Sequence, residues 1–216
     1  LVAVSTLLLN ALPGCRKDKD VPQQQTGNPP VSNPQTVYSF PLTIGSYWIY
    51  EHTLLDSNLN VISTGAIDSV FICADTLINN DTFYVFGQQT SGSPTFSMSG
   101  FIYGSHYLRD SAGYLVYPSG YFLEHDNFQD TLYNYIIPAM SAYSFMRHPD
   151  SLLTVPAGTF PTVDYRTDHY FTNPLYPQMR KAHKFWADDV GVVSWITFYV
   201  ASGNYVQRRL LRYHIQ

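Results

Sequence analysis

Short apolar runs alternate with clusters of polar turn residues from position 37 to the end of the chain. Runs of this length, rich in aromatic and β-branched residues, are typical of β-strands, and the turn clusters recur at hairpin spacing. The pattern predicts about ten antiparallel strands. The clusters predicted to be hairpin turns are 56–60, 79–81, 109–113 and 201–204.

One segment, 136–146, is compatible with a short helix, and Pro138 limits its length because proline interrupts helical hydrogen bonding. Elsewhere the alternation is imperfect: around Trp48 both strand faces carry apolar side chains, and 82–86 is apolar on both sides. We therefore expect both faces to be covered. The sequence predicts an all-β domain of antiparallel strands, 37–216, forming a curled sheet, a half-barrel or a barrel, with a β-sandwich as the alternative.

Composition supports strands and excludes one class of partner. The chain contains 18 Tyr, 13 Phe and 3 Trp, and 13% of its residues are charged. Aromatic side chains favour pleated, half-buried surfaces over helices. The formal net charge is −4 and no basic cluster exceeds 208–212, so we expect no nucleic-acid partner.

The first fourteen residues have the character of an export signal. The apolar run 1–12 fits the hydrophobic segment of a signal peptide, about 7–15 residues, and is shorter than the roughly 20 residues that span a bilayer. The sequence opens on Leu1 without Met or a basic segment, so we expect residues 1–14 to be a signal peptide truncated at its start. A buried N-terminal strand or helix is the alternative.

Leu12-Pro13-Gly14-Cys15 resembles the bacterial lipobox, with Pro13 where Ala or Ser is usual. The resemblance implies that the sulfur of Cys15 carries a diacylglycerol and that the peptide before it is removed. Residues 15–36 are rich in Pro, Gln and Asn and predict a lipidated, disordered tether. Acylation of Cys15 leaves Cys73, the other cysteine, without a disulfide partner in the chain.

The charged residues 16–20 resemble the mixed Lys/Asp signal that directs Bacteroidota lipoproteins to the outer face of the outer membrane. A solvated charge cluster beside the lipid headgroups is the alternative. The predicted location is therefore the outer membrane, with the protein lipid-anchored at the cell surface or on the periplasmic face.

No metal-binding motif is present. Asp56, Asn58 and Asn60 have the spacing that opens a calcium loop, but Val61 and Ile67 replace the required Gly and Glu. In 124–126, Glu-His-Asp, a strand would point the imidazole away from the two carboxylates. The seven histidines show no HxH or HExxH spacing, so no metal and no cofactor is assigned.

Catalytic motifs are missing as well. There is no Gly-x-Ser-x-Gly sequence, and the side chains of His148, Asp150 and Ser151 would diverge rather than converge. Asp188 and Asp189 would point to opposite faces of a strand. We assign no catalytic residue and expect a protein that is not an enzyme, with a hydrolase as a weaker alternative.

Three segments carry a family resemblance: 40–50 (FPLTIGSYWIY), 155–160 (VPAGTF) and 185–193 (FWADDVGVV). They resemble motifs of uncharacterised Bacteroidota lipoproteins, in which Pro-Gly usually occupies the place of Asp188-Asp189. The resemblance implies a curved antiparallel sheet, similar in shape to lipocalins or to the carriers of the Lol system. Both of those hold acyl chains in a concave apolar face.

A binding function follows as an expectation. The aromatic segments 47–50, 83–86 and 195–199 are candidates to line a concave pocket for an acyl chain or another apolar ligand, and ordinary core packing is the alternative. A second expectation is a cell-surface assembly or adhesion component that binds glycans or protein. The predicted partners are the membrane, through the anchor, and an apolar small molecule or an envelope protein.

Overall fold

Antiparallel strands and their turns make up the described part of the chain in this computed structural model, which covers residues 40–92, 102–111, 114–120, 131–147, 152–173, 175, 179–200 and 202–216. Within these ranges no residue is helical, and no described segment has the length and apolarity of a membrane-spanning helix. The strands are β1 (Tyr47–Leu55), β2 (Val61–Ile78), β3 (Asp81–Ser91), β4 (Tyr107–Ser111), β5 (Tyr114–Val116), β6 (Thr131–Ile137), β7 (Met140–Arg147), β8 (Leu152–Val155), β9 (Gly158–Pro161), β10 (Val163–Phe171), β11 (Met179–Ala187), β12 (Gly191–Phe198) and β13 (Tyr205–His214).

Eleven of these strands form one sheet in the order β5-β4-β3-β2-β1-β13-β12-β11-β10-β7-β6, and β8 and β9 form a separate hairpin. In the described residues β5 and β6 are the two edges of a curled sheet that does not close into a barrel. The predicted all-β antiparallel domain with a curled sheet is confirmed. The predicted signal peptide, the tether with Cys15, and residues 37–39 lie outside the described residues.

Two predicted hairpin turns show why their sequences turn. Asn79 and Asn80 have φ values of 53° and 71° between β2 and β3, the positive φ that a tight type I′ turn requires at both central positions. In the β1–β2 turn, Asp56 Oδ1 accepts hydrogen bonds from the backbone N–H groups of Asn58 (2.8 Å) and Asn60 (2.9 Å). These turns are confirmed.

The predicted short helix at 136–146 is wrong. These residues end β6, turn at 138–139 and form β7, where Ala142, Ser144 and Met146 are buried at every second position. This period of two belongs to a strand with one buried face. Pro138 lies in the turn, where its missing N–H costs no ladder hydrogen bond.

The expectation that both sheet faces are covered is also wrong for most of the sheet. In β1, Trp48, Tyr50 and His52 are buried, whereas the intervening residues are exposed or half-buried. The same alternation occurs in β2, β7 and β13. A single curled sheet has one concave surface to bury, and the apolar side chains of the convex face are shielded only in part by their neighbours. The start of β12 departs from this alternation, with Val192, Val193 and Ser194 all buried.

An aromatic core fills one half of the concave face. Phe40 stacks on Trp48 with ring centroids 5.6 Å apart, and Tyr103 lies 5.4 Å from Phe86 and 5.9 Å from Trp186. These rings come from β1, β3, β11 and two segments outside the sheet, so the curl brings together strands that are far apart in the sheet order. Aromatic side chains bury large apolar areas and favour such stacked and edge contacts.

Two buried hydrogen bonds cross the sheet within this core. Trp48 Nε1 donates to the carbonyl oxygen of Val190 at 2.6 Å, and the Tyr50 hydroxyl donates to that of Val192 at 2.8 Å. Since β13 separates β1 from β12, these bonds are not part of the strand ladder. They join β1 to the β11–β12 turn and to the start of β12, and they fix the curvature.

The two turns of the family resemblance have structural roles. Residues 156–157 connect β8 to β9, and 188–190 connect β11 to β12, with φ at Asp189 of 55°. Gly191 follows with φ of 92°, and a Cβ there would lie 2.5 Å from Phe40 Cε2. Glycine is required at this position because any side chain would displace the Phe40 ring from the core.

Tyr50→Phe should reduce the free energy of unfolding by about 1–3 kcal/mol, because the buried carbonyl of Val192 loses its side-chain donor. The matched control is Tyr47→Phe on the same strand, where the side chain is 38% exposed and a change of only a few tenths is expected. Urea denaturation of both variants measures the difference. Equal stabilities would show that the Tyr50 hydroxyl does not hold the curl.

Candidate functional site

A single row of directly paired residues crosses the concave face from β1 to β7. Direct partners on neighbouring strands point to the same side of a sheet. This row separates the aromatic core from the other half of the concave face. Its members, in order, are His52, Arg208, Trp195, Lys184, Tyr165 and Met146.

The indole of Trp195 lies between two cations in this row. Lys184 Nζ is 4.8 Å from its ring centroid and Arg208 Cζ is 5.3 Å away, from the neighbouring strands on either side. Lys184 Nζ also donates a hydrogen bond to the carbonyl oxygen of Ile102 at 3.0 Å. Cation–π contacts of this kind are attractive because the ring face carries partial negative charge.

At the β1–β2 end of the row, Asp68 is the centre of a buried charged cluster. Its Oδ2 lies 2.8 Å from both His52 Nε2 and Arg208 Nε, and the Thr90 hydroxyl donates to Oδ1. His52, Asp68 and Arg208 are at most 1% exposed. Arg208 Nε also lies 3.1 Å from His52 Nε2, so the three side chains are in mutual contact.

The cluster keeps Asp68 ionised. Burial by itself raises the pKa of this carboxyl group. The hydrogen bonds from His52 and Thr90 and the charge of Arg208 together lower the pKa by more than burial raises it, so it lies below its usual value. Burial also lowers the pKa of Arg208, and the negative charge of Asp68 opposes that effect. Each charge is therefore stable in the interior because the other is present.

On the far side of the row, a groove of about 480 Å³ lies on β6, β7, β10, β11 and β12. The groove exists because the residues two positions from the row, on the same face of β7, β10 and β11, have small side chains. The floor consists of Ala182, Thr167 and Ser144, which are direct cross-strand neighbours, together with Ala142. The surrounding walls contain Trp195, Tyr165, Tyr135, His169 and Met140.

The groove is mostly apolar, with Lys184 of the charged row at its border and a few hydroxyl and imidazole groups in its lining. On the floor, the hydroxyls of Ser144 and Thr167 are 2.9 Å apart and hydrogen-bonded to each other. His169 packs edge-on against Phe198, with ring centroids 5.0 Å apart. Burial lowers the pKa of His169, an effect that the charge of Asp168 opposes, so the imidazole is neutral at neutral pH.

Arg180 holds the end of the groove in place. Its guanidinium lies 4.8 Å from the Phe198 ring centroid and 4.7 Å from that of Tyr205. It donates hydrogen bonds to the carbonyl oxygens of Tyr199 at 2.8 Å and of Ser202. The β12–β13 loop is thereby tied to β11 by charge-assisted hydrogen bonds.

The aromatic segments proposed from sequence fall into two groups. Trp48, Tyr50, Phe83 and Phe86 are 0–3% exposed and belong to the core, so for them the core-packing alternative is the right one. From 195–199, Trp195 and Thr197 line the groove. The sequence analysis did not predict that small residues form the floor of a groove. Ala142 and Ser144, two positions apart on β7, were a signal that could have been used.

The motifs rejected from sequence can be placed in part. Asp56, Asn58 and Asn60 form a hairpin turn, and Asp188 and Asp189 are exposed in the β11–β12 turn. Residues 124–126 and 148–151 lie outside the described residues. Within the described ranges, no three His, Cys, Asp or Glu side chains are grouped so that they could hold a metal ion.

No protein-family model and no curated protein matches the chain. Two solved structures are similar to it. A presumed exported protein with a YmcC-like fold, from Bacteroides fragilis NCTC 9343, is 11% identical with a TM-score of 0.46, over 82% of this chain and 99% of that chain. A presumed lipoprotein from Parabacteroides distasonis ATCC 8503 is 14% identical with a TM-score of 0.36, over 81% and 97%.

Asp68→Asn should reduce the free energy of unfolding at pH 7 by about 3–5 kcal/mol, because Arg208 is left as a buried charge without its counter-ion. Since the pKa of Asp68 is lowered from 3.8 in the folded state, its contribution is complete above that pH and is lost as the pH falls below it. Urea denaturation of both proteins at pH 7, 5 and 3.5 should give a constant difference at the first two values and a smaller one at the third.

The control for this prediction is Asp75→Asn, at an exposed position of the same strand, where almost no change is expected at any of these pH values. A difference between wild type and Asp68→Asn that stayed constant down to pH 3 would contradict the assigned charge state.

Proposed function

We propose that the protein is a lipid-anchored envelope protein with a non-enzymatic binding role, and that the groove on its concave face holds an apolar ligand such as an acyl chain. The observation that carries this proposal is the groove itself. Its volume of about 480 Å³ is within the range of about 300–1,000 Å³ that small-molecule sites occupy, and its lining is mostly apolar.

The groove results from the small side chains on its floor. Protein interiors are close-packed, and a large side chain at Ala142, Ser144 or Ala182 would fill this volume. An acyl chain suits the space, since each buried methylene contributes about 0.8 kcal/mol without any directional contact. The hydroxyls and the neutral imidazole add a small number of polar contacts, as in most small-molecule sites.

The surroundings of Trp195 favour a chain-like ligand over a sugar ring. Glycans commonly stack on the open face of an indole, but the cations of Lys184 and Arg208 are positioned over the Trp195 ring. The indole therefore offers the groove an apolar edge more readily than a stacking platform.

A second candidate function, assembly with another envelope protein, has support from one end of the sheet. The strand ends and turns there expose large apolar side chains at Leu59, Ile62, Ile136, Leu175 and Val200, with Ile136 67% and Leu175 86% exposed. An accumulation of exposed apolar residues at one end of a domain is typical of interaction surfaces.

The charged groups of the described residues support a binding role more than a hydrolase. The pair of His52 and Asp68 is buried and adjoins the aromatic core, where a substrate has no access. His183 Nδ1 lies 2.8 Å from Asp164 Oδ2 at a half-buried position. Within the described residues, no Ser, Thr or Cys side chain is hydrogen-bonded to His183, so this pair lacks a nucleophile.

The anchor is part of the proposal. Cys15 follows a signal-like apolar segment and precedes a linker rich in Pro and Gln, and lipidation there would hold the domain at the outer membrane, on the cell surface or the periplasmic face. Two acyl chains of a diacylglycerol give firm membrane attachment, whereas a single chain binds reversibly.

The bonding state of Cys73 bears directly on whether Cys15 is acylated. The sequence analysis leaves Cys73 without a disulfide partner only in a chain that is acylated at Cys15, and the structure has Cys73 disulfide-bonded. Cys15 is the other cysteine of the sequence. One sulfur cannot carry both a lipid and a disulfide, so acylation of Cys15 and a disulfide between the two cysteines exclude each other. We propose the acylated form because the lipobox resemblance and the linker both converge on Cys15.

Purified protein should bind a dodecyl-chain probe, and Thr167→Phe should weaken that binding about tenfold or more because the phenyl ring occupies the groove. Thr154→Phe, the same change at an exposed position of the β8–β9 hairpin, is the matched control and should bind like wild type. Isothermal titration measures both. Equal affinities in the two variants, or no binding to wild type, would exclude the groove as the site.

Mature protein from a host with lipoprotein processing should carry a diacylglycerol mass on an N-terminal Cys15 and partition into the detergent phase. Cys15→Ser should abolish both properties, and the matched variant Cys73→Ser should retain both. Intact-mass spectrometry under non-reducing conditions is the measurement. A protein without lipid, with a Cys15–Cys73 disulfide, would overturn the anchor.

A further inference from the structure

His169 is the polar side chain best placed to select a ligand within the groove. It lines the groove in the same cross-strand row as Ala142 and Tyr135. Its Nδ1 atom is buried and has no hydrogen-bond partner within the described part of the chain. The edge-on contact with Phe198 fixes the ring orientation. The imidazole is therefore held rigidly with one nitrogen turned away from any partner.

The position of the single ring proton follows from this arrangement. A neutral imidazole carries a proton on one nitrogen only. Burying an N–H without an acceptor is costlier than burying a lone pair without a donor, and orphaned buried N–H groups are accordingly the rarer case. The proton of His169 therefore belongs on Nε2, so the side chain can offer the groove a hydrogen-bond donor.

The floor supplies a second neutral donor. Ser144 and Thr167 share one hydrogen bond, which uses the hydrogen of one hydroxyl and leaves the hydrogen of the other for a further acceptor. Thr167 is two residues from His169 on β10, so both lie on the same face of the strand. Together they form a patch of uncharged donors at one end of an apolar groove.

The cations of this face are placed to serve other groups. Arg180 binds the carbonyl oxygens of the β12–β13 loop, and Arg208 binds Asp68. Lys184 is paired with Tyr165, which is four residues from His169 and thus about 13 Å away along β10. Arg180 is the direct cross-strand partner of His169, but its guanidinium already donates to carbonyl oxygens of the β12–β13 loop. A carboxylate beside His169 would have to displace those oxygens to gain a charged partner, whereas a neutral carbonyl oxygen needs only the donors of His169 and of the Ser144–Thr167 pair.

From this geometry we infer that the ligand of the groove is an uncharged acyl ester or amide, whose carbonyl oxygen accepts hydrogen bonds from His169 and from the Ser144–Thr167 pair. The inference rests on the proposed binding function and adds the chemistry of the ligand's polar group. The apolar chain then extends along the small floor toward Tyr165 and Trp195.

Three probes with the same chain length test this inference: methyl laurate, laurate and 1-dodecene. Wild-type protein should bind the ester about three- to tenfold more tightly than the alkene, the ratio expected for one net hydrogen bond. It should also bind the ester more tightly than laurate at pH 7.5. Competition against a fluorescent acyl probe gives the three dissociation constants.

Two substitutions at the histidine separate its N–H from its ring. His169→Phe keeps an aromatic ring against Phe198 and should bring the ratio of the ester and alkene dissociation constants, measured within the variant, close to one. His169→Gln places an amide donor close to the position of Nε2 and should retain part of the preference. Thermal unfolding checks that both variants are folded.

The outcomes distinguish this inference from the proposed function. Equal binding of ester and alkene by wild type, tighter binding of laurate, or an undiminished ester preference in His169→Phe would each overturn the ester assignment while leaving the groove as a site for apolar chains. The wild-type comparison needs no variant. If none of the three probes binds wild type, the proposed binding function itself fails.

Discussion

The hydrogen bond from Trp48 to the carbonyl of Val190 is the contact on which the curvature of this sheet depends, together with the bond from Tyr50 to Val192. An antiparallel sheet with two free edges can be flat or curled, and its ladder hydrogen bonds are satisfied in either form. These two side chains give the curled form hydrogen bonds that a flat form lacks, and they place them inside an aromatic core. The concave face and its groove follow from that choice.

The concave face has three zones, which differ in the size and charge of their side chains. Large aromatic rings such as Trp48 and Phe86 fill the first zone, and the charged row through Arg208 and Lys184 forms the second. Small residues such as Ala142 occupy the third. The charged row can lie inside the fold because Asp68 neutralises Arg208 and Trp195 covers both cations. It also gives the core a polar boundary that keeps aromatic packing from continuing into the groove.

The architecture was readable from sequence because strands and turns are local. The Asn79-Asn80 turn and the Asp56 turn follow from the backbone preferences and side-chain hydrogen bonds of Asn and Asp. Segment 136–146 was assigned as a short helix although Pro138 argues against one and the alternation at Ala142, Ser144 and Met146 has the period of a strand.

The groove was less accessible to sequence reasoning. Its floor joins β7, β10 and β11, and which residues become cross-strand neighbours depends on register, a long-range property. The charged cluster has the same origin, since His52 and Arg208 are 156 positions apart. Aromatic residues were the visible signal, and Trp48, Tyr50, Phe83 and Phe86 proved to be core. What marks the candidate site is the lack of large side chains at neighbouring positions, which becomes apparent only once the strands are aligned.

The small side-chain volume on the groove floor is itself informative about function. Larger apolar residues at Ala142 and Ala182 would bury more surface, at about 25 cal/mol per Å², and would stabilise the domain. Positions that depart from tight packing in an otherwise well-packed fold are typical of functional sites, where stability is lower than the fold could reach. The same face packs Trp48, Phe86 and Trp186 tightly a few strands away, so this chain is able to fill its concave surface. An open groove beside a filled core is the arrangement expected when a ligand supplies the missing contacts.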